Sequence, residues 1–244
     1  MKNIYAQLIQ QSQKGRFLIL LIDPDKLPKE KAIEIALFAQ NNGGAAILIG
    51  SSLMLHGELD AYIQALKEQI DIPLILFPGA ATQVSAKADA ILLLSLLSGR
   101  NPEYLIGKHV ESAFLIQQSG LDIIPTGYIL VDGGNMTSVH YMTQSLPIPR
   151  RKNDIAMATA LAGIQLGMQA IYLEAGSGAD FPVEPEMIQA VKSVGPPLLW
   201  VGGGIRNVEQ IMQARKAGAD FVVVGSLAEN NPSEWMKLWS EFNV

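Results

Sequence analysis

One carboxylate beside a glycine-rich turn is the feature of this sequence best suited to chemistry. Residues 172–178 read Tyr-Leu-Glu-Ala-Gly-Ser-Gly and follow an apolar run. Tyr172 and Glu174 are two residues apart, so on an extended strand both side chains point to the same side. A carboxylate there can accept a proton from an alcohol, while Gly176, Ser177 and Gly178 offer N–H and O–H donors to an anion. A solvated glutamate next to a flexible turn is the alternative.

Two further glycine turns predict a phosphate site. Gly202, Gly203 and Gly204 follow one apolar run, and Gly225-Ser226 follow the next. Glycines let backbone N–H groups approach a phosphate closely, and the N-terminus of a following helix adds partial positive charge. Tight turns without a ligand are the alternative for both places.

A third candidate site is an oxygen-rich one for Mg²⁺. Asp23 and Asp25 follow the first apolar run, and Ser51 and Ser52 follow the second. Mg²⁺ prefers oxygen ligands and keeps several of its waters, which suits a carboxylate with a nearby hydroxyl. The spacing fits equally well a turn at Asp23 and helix caps at Asp25 and the serines.

The remaining ionisable candidates carry a weaker signal. Arg100 and the basic run 150–152 could neutralise a second anionic group, although a solvated basic loop explains them equally. The three histidines do not have metal-ligand spacing, and we expect none of them to bind a metal; they are His56, His109 and His140.

Eight short apolar runs alternate with amphipathic stretches and must position these residues. Nearly continuous hydrophobic runs are typical of parallel strands buried on both faces. The predicted strands are 17–22, 45–49, 74–77, 90–94, 128–131, 170–173, 198–201 and 221–224. The predicted helices are 3–13, 28–41, 58–69, 102–118, 154–166 with Asn153 as its N-cap, 184–194, 207–216 and 232–242.

This alternation predicts an α/β protein with a (β/α)8 TIM barrel, in one domain spanning residues 1–244. Each unit has about 28 residues, the length that a strand, a helix and two loops need. An open doubly wound sheet is the alternative fold. Only twelve residues, 78–89, separate the third and fourth predicted strands, so the third helix must be shortened or missing. The gap could hold a long apolar ligand, or side chains could fill it.

Composition excludes several classes of protein. The chain has 244 residues, 49% of them hydrophobic and 17% charged, no cysteine, and a net charge of -5. These values exclude a disordered chain, a disulfide framework and thiolate chemistry, and they argue against binding to nucleic acid. No apolar run is long enough for a transmembrane segment, so we expect a cytoplasmic protein. The high apolar content also predicts helix faces buried between subunits of a homo-oligomer.

Five segments resemble the geranylgeranylglyceryl phosphate synthase family, in the family's order and over nearly the whole chain. They are 21–25, 49–52, 172–178, 201–206 and 224–226, and the stretch 98–102 is similar to the family's fourth loop. The run 172–178 is the most specific part, because a glycine triplet is common to many phosphate-binding barrels. The resemblance is to the subgroup shared by archaea and some bacteria.

The resemblance implies a prenyltransferase that joins sn-glycerol 1-phosphate to a prenyl diphosphate, with Mg²⁺, and forms an ether. Asp23 and Ser52 match the family's Mg²⁺ positions, and Glu174 matches the residue that takes the hydroxyl proton. The positions that match the glycerol phosphate site are Tyr172, Leu173, Glu174, Ala175, Gly176, Ser177, Gly178, Gly203, Gly204, Gly225 and Ser226. Some members carry a lysine where this chain has Leu21, and Lys26 could compensate.

The resemblance also implies that the gap at the third helix admits the prenyl tail and that the product passes to a membrane. It does not give the prenyl chain length, because one or two bulky side chains along the groove would set it. Two other functions fit the phosphate loops alone. One is a sugar-phosphate isomerase of histidine or tryptophan synthesis, and the other is a non-catalytic barrel that binds a phosphometabolite.

Overall fold

Eight parallel strands form the centre of the fold. A computed structural model describes residues 3–15, 17–55 and 58–240. The strands form a closed barrel in sequence order, which confirms the TIM barrel and makes the open sheet wrong. They are β1 Leu18–Ile22, β2 Ala46–Ile49, β3 Leu74–Leu76, β4 Ala90–Leu96, β5 Asp122–Leu130, β6 Ala170–Glu174, β7 Leu199–Gly202 and β8 Phe221–Val224.

Helices follow most strands, as the apolar periodicity predicts. They are α1 Ile4–Gln13, α2 Lys29–Asn41, α3 Leu59–Lys67, α4 Lys108–Ser119, α5 Ser138–Thr143, α6 Asn153–Gln165, α7 Pro185–Ser193, α8 Val208–Lys216, α9 Ser226–Asn230 and α10 Pro232–Ser240. A π-helical turn, Glu103–Gly107, precedes α4. Residues 241 and 242 of the last predicted helix lie outside the described residues. No helix in the described part of the chain is long and apolar enough to span a membrane.

The helix that would follow β3 in a regular barrel is missing, which confirms the prediction from the short connection. Residues 77–89, all of them described, form turns between β3 and β4 and contain no helix. Asp89 anchors the end of this connection: its carboxylate accepts the Leu74 N–H at 2.9 Å and pairs with Lys67 Nζ at 2.7 Å. The chain therefore returns to the sheet through turns and an ion pair.

The starts of two elements differ from the prediction. Asn153 is the first residue of α6 and not its N-cap; Lys152 holds that position, because a turn closes one residue earlier through the bond from Lys152 N–H to Pro149 O. Strand β5 begins at Asp122, six residues before the predicted start at residue 128, and includes Pro125. The Asp122 carboxylate accepts the N–H of Ile4 at 2.6 Å and so fixes the start of α1.

The described residues divide into two compact units. The first comprises the described parts of Met1–Leu92, Val110–Ile123 and Val224–Val244, and the second comprises Leu93–His109 and Ile124–Val223. In both units the strand residues are almost all buried and form the core. That the whole chain behaves as one domain stays a prediction.

Candidate active site

Glu174 is a buried carboxyl at the end of β6 in the second unit. It is 6% exposed, and its Oε1 accepts the Gly176 N–H at 2.6 Å. Burial raises the pKa of Glu174 to about 7, and the hydrogen bonds from the Gly176 N–H and the Tyr172 hydroxyl oppose this shift only in part. A carboxyl with such a pKa gains and loses a proton near neutral pH, which is what a general base requires.

The glycines after β7 leave room for this carboxyl. A Cβ atom at Gly203 would lie 2.3 Å from Glu174 Oε1 and 2.5 Å from the Gly176 nitrogen, and Gly203 has a φ of +83°. A Cβ at Gly202 would lie 2.4 Å from the Tyr172 hydroxyl oxygen. Any other residue type would clash at these positions. The structure therefore brings Gly203 directly against the start of the 174–178 turn.

The 174–178 turn presents its far end to solvent. Ala175 and Gly176 are buried, and Ser177 and Gly178 are exposed. Gly176 and Gly178 both have positive φ, with values of +101° and +78°, a backbone conformation that favours glycine. Leu173 is buried in the core, where its side chain lies on the opposite face of β6 from Glu174.

Contacts from the loop after β5 and from α8's leading loop hold this turn in place. Asn135 Nδ2 donates to Gly178 O at 3.1 Å, and Arg206 Nη2 donates to Ala179 O at 2.8 Å. Gly204, with a φ of +69°, lies so close to Phe181 that a Cβ would be 2.6 Å from its carbonyl oxygen. Sequence reasoning missed Asn135, and no spacing signal marks it.

Four aromatic rings form a layer beneath Glu174. Tyr128, Tyr172, Trp200 and Phe221 occupy paired register positions on β5 to β8. Successive ring centroids are 5.6, 6.3 and 4.7 Å apart, and all four side chains are buried. The sequence places Tyr172 in the predicted glycerol phosphate site and does not single out the other three. Their equivalent places in neighbouring strands were the available signal for a common layer.

Asp23, at the end of β1 in the first unit, is a second buried carboxyl with a different environment. It is 6% exposed. Its Oδ2 lies 3.1 Å from Lys26 Nζ and accepts the Ser51 hydroxyl at 3.1 Å, and its Oδ1 accepts the Asp25 N–H. Lys26 Nζ also lies 3.3 Å from Glu229 Oε2. Burial alone would lower the pKa of Lys26, but Glu229 and Asp23 outweigh it and the net shift is upward, so Lys26 stays charged.

Glu229 is a functional candidate that the sequence did not reveal. It lies on the five-residue helix α9, which carries no clear apolar period. Burial raises its pKa, and the nearby Lys26 ammonium opposes part of that shift. Together Asp23, Lys26 and Glu229 form an ion-paired cluster within the first unit.

The donors around Asp23 fit a Mg²⁺ ion that is shared with a phosphate-bearing substrate. The described residues contain no group of three or more His, Asp or Glu side chains that could hold a metal alone. Mg²⁺ commonly binds through one or two carboxylates plus substrate phosphates and waters. The hydroxyl that contacts Asp23 is that of Ser51, while Ser52 is exposed. A role for Ser52 as a ligand stays a prediction.

The other predicted phosphate residues follow β8. Gly225 lies against Leu21, where a Cβ atom would be 3.2 Å from the Leu21 Cβ, and Ser226 begins α9. The neighbour of Gly225 on β1 is therefore an apolar side chain, that of Leu21. Binding of phosphate by Gly225 and Ser226 stays a prediction.

The basic candidates take part in loop contacts. Arg100 Nη1 donates to Gly99 O at 2.9 Å within its own turn. Arg150 pairs with Glu184 and lies 4.3 Å over the Phe181 ring, so it anchors the chain that follows the 174–178 turn. His109 Nε2 lies 2.9 Å from Leu94 O. His56 lies outside the described residues.

Comparisons with known proteins identify the family of this chain. A model described as the PcrB family matches residues 10–241. The geranylgeranylglyceryl phosphate synthase of Chitinophaga pinensis is 46% identical over 94% of this chain and 92% of its own. The protein of the same name from Pyrococcus abyssi is 44% identical over 92% and 89%.

A solved structure points to the same family. The crystal structure of (S)-3-O-geranylgeranylglyceryl phosphate synthase from Thermoplasma acidophilum, in complex with sn-glycerol-1-phosphate, matches with a TM-score of 0.92 and 31% identity. The match covers 98% of this chain and 96% of that chain. The chain therefore belongs to the PcrB family of enzymes, the geranylgeranylglyceryl phosphate synthases.

Proposed function

We propose that this protein is a Mg²⁺-dependent prenyltransferase that joins sn-glycerol 1-phosphate to geranylgeranyl diphosphate or a similar prenyl diphosphate. The observation that carries the proposal is Glu174, a buried carboxyl at a strand end whose pKa burial raises to about 7. The name of the relatives and the glycerol phosphate bound to the Thermoplasma acidophilum protein support the choice of substrates.

Glu174 would take the proton of the attacking alcohol. In the reaction, a glycerol hydroxyl oxygen forms a bond to the first carbon of the prenyl chain while the bond from that carbon to diphosphate breaks. The hydroxyl proton passes to Glu174, and the electron pair of the broken bond leaves with diphosphate. Holding both substrates in line contributes much of the rate, because a bimolecular step becomes effectively unimolecular.

The second unit supplies the cradle for glycerol 1-phosphate. Gly176, Gly178 and Gly203 all have positive φ near the Glu174 carboxyl. The Gly176 N–H already binds Glu174 Oε1, so the N–H groups of Gly178 and Gly203 would meet the phosphate. Such groups bind phosphate oxygens without a cationic side chain. The Tyr172 hydroxyl lowers the pKa of Glu174 in part, so it would help to stabilise the carboxylate form of the base. Gly204 is a further proposed phosphate contact of this unit, and the resemblance adds Gly225 and Ser226 as predicted phosphate residues.

The first unit supplies the residues for the diphosphate. Asp23, with a serine hydroxyl from Ser51 or Ser52, would hold Mg²⁺. When bound, this ion neutralises negative charge on the departing diphosphate. The Lys26 ammonium, held between Asp23 and Glu229, is a second positive charge that can meet a phosphate oxygen. In this way Lys26 would compensate for the lysine that Leu21 replaces.

The helix-less connection 77–89 would admit the prenyl tail. Strand β3 is buried and apolar, β4 is apolar except for Ser95 and has Leu93 and Leu94 partly exposed, and no helix lies between the two strands in the chain. An isoprenoid chain could cover the apolar surface that a helix covers after the other strands. Chain-length preference would then follow from the side chains along this path.

A product assay with labelled sn-glycerol 1-phosphate, geranylgeranyl diphosphate and Mg²⁺ tests the proposal. We expect label in a lipid-extractable product. We expect none when labelled sn-glycerol 3-phosphate replaces sn-glycerol 1-phosphate, and none when EDTA removes the Mg²⁺. A series of prenyl diphosphates of different length would give the chain-length preference. Glycerol phosphate that binds without any turnover would instead favour a non-catalytic barrel, and no binding at all would remove the proposal.

An apolar stripe on α4 supports the predicted homo-oligomer. Val110 and Phe114 are one helical turn apart and are 69% and 76% exposed, with Leu115 exposed beside them. Burying such a stripe against another subunit removes apolar area from water. We expect light scattering to show an oligomer and Phe114→Glu to weaken it; a monomer at all concentrations would contradict this. The cytoplasmic location and the passing of product to a membrane stay predictions.

A further inference from the structure

The connection between β3 and β4 is held down by one buried amide side chain, that of Gln83. Gln83 is 4% exposed, although it lies in a segment of turns. Its Oε1 accepts the Gly79 N–H at 3.0 Å, and its Nε2 donates to Ser51 O at 2.9 Å. Both ends of the amide are thus used, one within the connection and one on the loop after β2.

Glycines press the same two loops together. A Cβ atom at Gly50 would lie 1.8 Å from Phe77 O, and one at Gly79 would lie 2.3 Å from Ser51 O. Neither position could carry a side chain without moving backbone. The loop after β2 and the start of the connection are therefore in direct backbone contact, and Gln83 crosses this contact.

The contact leads directly to Asp23. Ser51, whose carbonyl accepts the Gln83 amide, donates its hydroxyl to Asp23 Oδ2 at 3.1 Å. On the other side of the loop, Asp25 Oδ2 accepts the Leu55 N–H at 2.5 Å. The loop after β2 is thus fixed at two points, by Gln83 through Ser51 and by Asp25 through Leu55.

We propose that Gln83 is a positioning residue for the diphosphate side of the reaction. Its amide holds the helix-free connection against the loop after β2. In this way it keeps the Ser51 hydroxyl within hydrogen-bond distance of Asp23. It touches neither substrate nor metal. The proposal rests on the proposed function, because it assigns Asp23 to Mg²⁺ and diphosphate.

Two variants of Gln83 and one matched control test the proposal. Gln83→Leu removes both bonds, whereas Gln83→Glu keeps the acceptor for Gly79 and loses the donor to Ser51. The control is Gln40→Leu: Gln40 Oε1 accepts the N–H groups of Asp71 and Ile72, ahead of β3, so this amide also links two segments of the first unit, here α2 and a loop.

Three readouts separate positioning from general loss of structure. Loss of a group that orients a metal ligand costs about 10–100-fold in metal affinity or activity. We therefore expect the KM for geranylgeranyl diphosphate to rise by about 10-fold or more in both Gln83 variants, with the KM for sn-glycerol 1-phosphate unchanged. Calorimetry with Mg²⁺ and inorganic diphosphate should show weaker binding by a similar factor. Hydrogen exchange should become faster in residues 49–55 and 77–84 of Gln83→Leu.

The outcomes are distinct from those that test the function itself. Unchanged diphosphate binding and exchange in both variants would overturn the role of Gln83. An equal rise in both KM values, or the same effect from Gln40→Leu, would also overturn it, because that pattern is a general loss of stability. If the unaltered enzyme makes no product, the proposed function fails, while the calorimetry and hydrogen exchange still decide whether Gln83 fixes the loop.

Discussion

Glu174 and Asp23 are both buried carboxyl groups at strand ends, but the neighbours of Glu174 are neutral whereas Asp23 lies beside a cation. Glu174 receives hydrogen bonds from two neutral groups, the Gly176 N–H and the Tyr172 hydroxyl. Asp23 contacts the Lys26 ammonium and the Ser51 hydroxyl. The two residues have the same exposure, so burial alone does not distinguish them.

The difference shows how one chemical group obtains two uses. Neutral neighbours leave a buried carboxylate poorly compensated, so its proton affinity rises and it can exchange a proton near neutral pH. Asp23 instead contacts a cation and a hydroxyl, which are charge-assisted partners of a carboxylate. We therefore expect substitutions at Glu174 to affect proton transfer and substitutions at Asp23 to affect the diphosphate side.

The largest expected effect is that of Glu174→Gln on turnover. Loss of a general base costs about 10²–10⁴-fold in rate. The amide keeps the size of the side chain and an oxygen that can accept the Gly176 N–H, so sn-glycerol 1-phosphate should still bind. Steady-state kinetics with calorimetry of glycerol phosphate binding measures both quantities.

Glu186→Gln is the matched control for this variant. Glu186 is an exposed glutamate in the first turn of α7, in the same unit. Its substitution should leave turnover within about twofold, as is usual for surface changes away from a site. Normal turnover in Glu174→Gln would show that another group takes the proton.

The next effect is the pH dependence of the unaltered enzyme. The active form of the base is the carboxylate, and burial raises the pKa of Glu174 to about 7. The value of kcat/KM should therefore fall as the pH drops below that pKa, by about 100-fold at pH 5. A pH–rate profile measures it. A flat profile down to pH 5 would contradict the assignment of this pKa to the catalytic step.

Asp23→Asn should have a smaller effect and a different character. A hydrogen bond to a charged group contributes about 1.5–3 kcal/mol, which corresponds to about 10–100-fold in rate or affinity. We expect a higher Mg²⁺ requirement and a higher KM for the prenyl diphosphate, with the KM for glycerol phosphate unchanged. Asp60→Asn, at an exposed position of α3, is the control. A rise confined to glycerol phosphate would reverse the assignment of the two carboxyls.

The smallest effect concerns stability. A raised carboxyl pKa means that the folded state holds the proton more tightly than the unfolded state, so Glu174 stabilises the fold at low pH. That contribution is lost as the pH rises from the unfolded value of 4.5 to about 7. Glu174→Gln has no such loss, and its free energy of unfolding should exceed that of the unaltered protein by about 3 kcal/mol at pH 8.

Urea unfolding at pH 5 and pH 8 measures this difference. The gap between Glu174→Gln and the unaltered protein should shrink toward pH 5. A gap that is independent of pH, or a less stable variant at pH 8, would show that the carboxylate is better compensated than its neighbours indicate.

The sequence contained enough to locate the strands and Glu174. Strands buried on both faces need continuous apolar runs, so the bounds of β1 and β8 could be predicted closely. Glu174 follows such a run and shares the side of Tyr172 by alternation, which placed it at the strand end. The short connection before Ala90 predicted the missing helix because twelve residues leave little room for one.

The rest depended on contacts between distant residues. Glu229 follows β8 in a helix too short to show a period, and only the folded chain places it 3.3 Å from Lys26. Asn153 has the residue type of an N-cap, but the preceding turn closes at Lys152 and shifts the start of α6 by one residue. Gln83 carries no motif, and its role follows only from its burial and its two partners.

The stacked rings next to Glu174 also bear on where a released proton would go. Tyr128, Tyr172, Trp200 and Phe221 fill the core on this side of the barrel, and their polar atoms are two phenol hydroxyls and one indole N–H. If Glu174 acts as the proposed base, we expect its proton to leave past the exposed end of the 174–178 turn. The base would then be restored only after the products have moved aside and bulk water has reached the carboxyl, which would couple product departure to the recovery of the base.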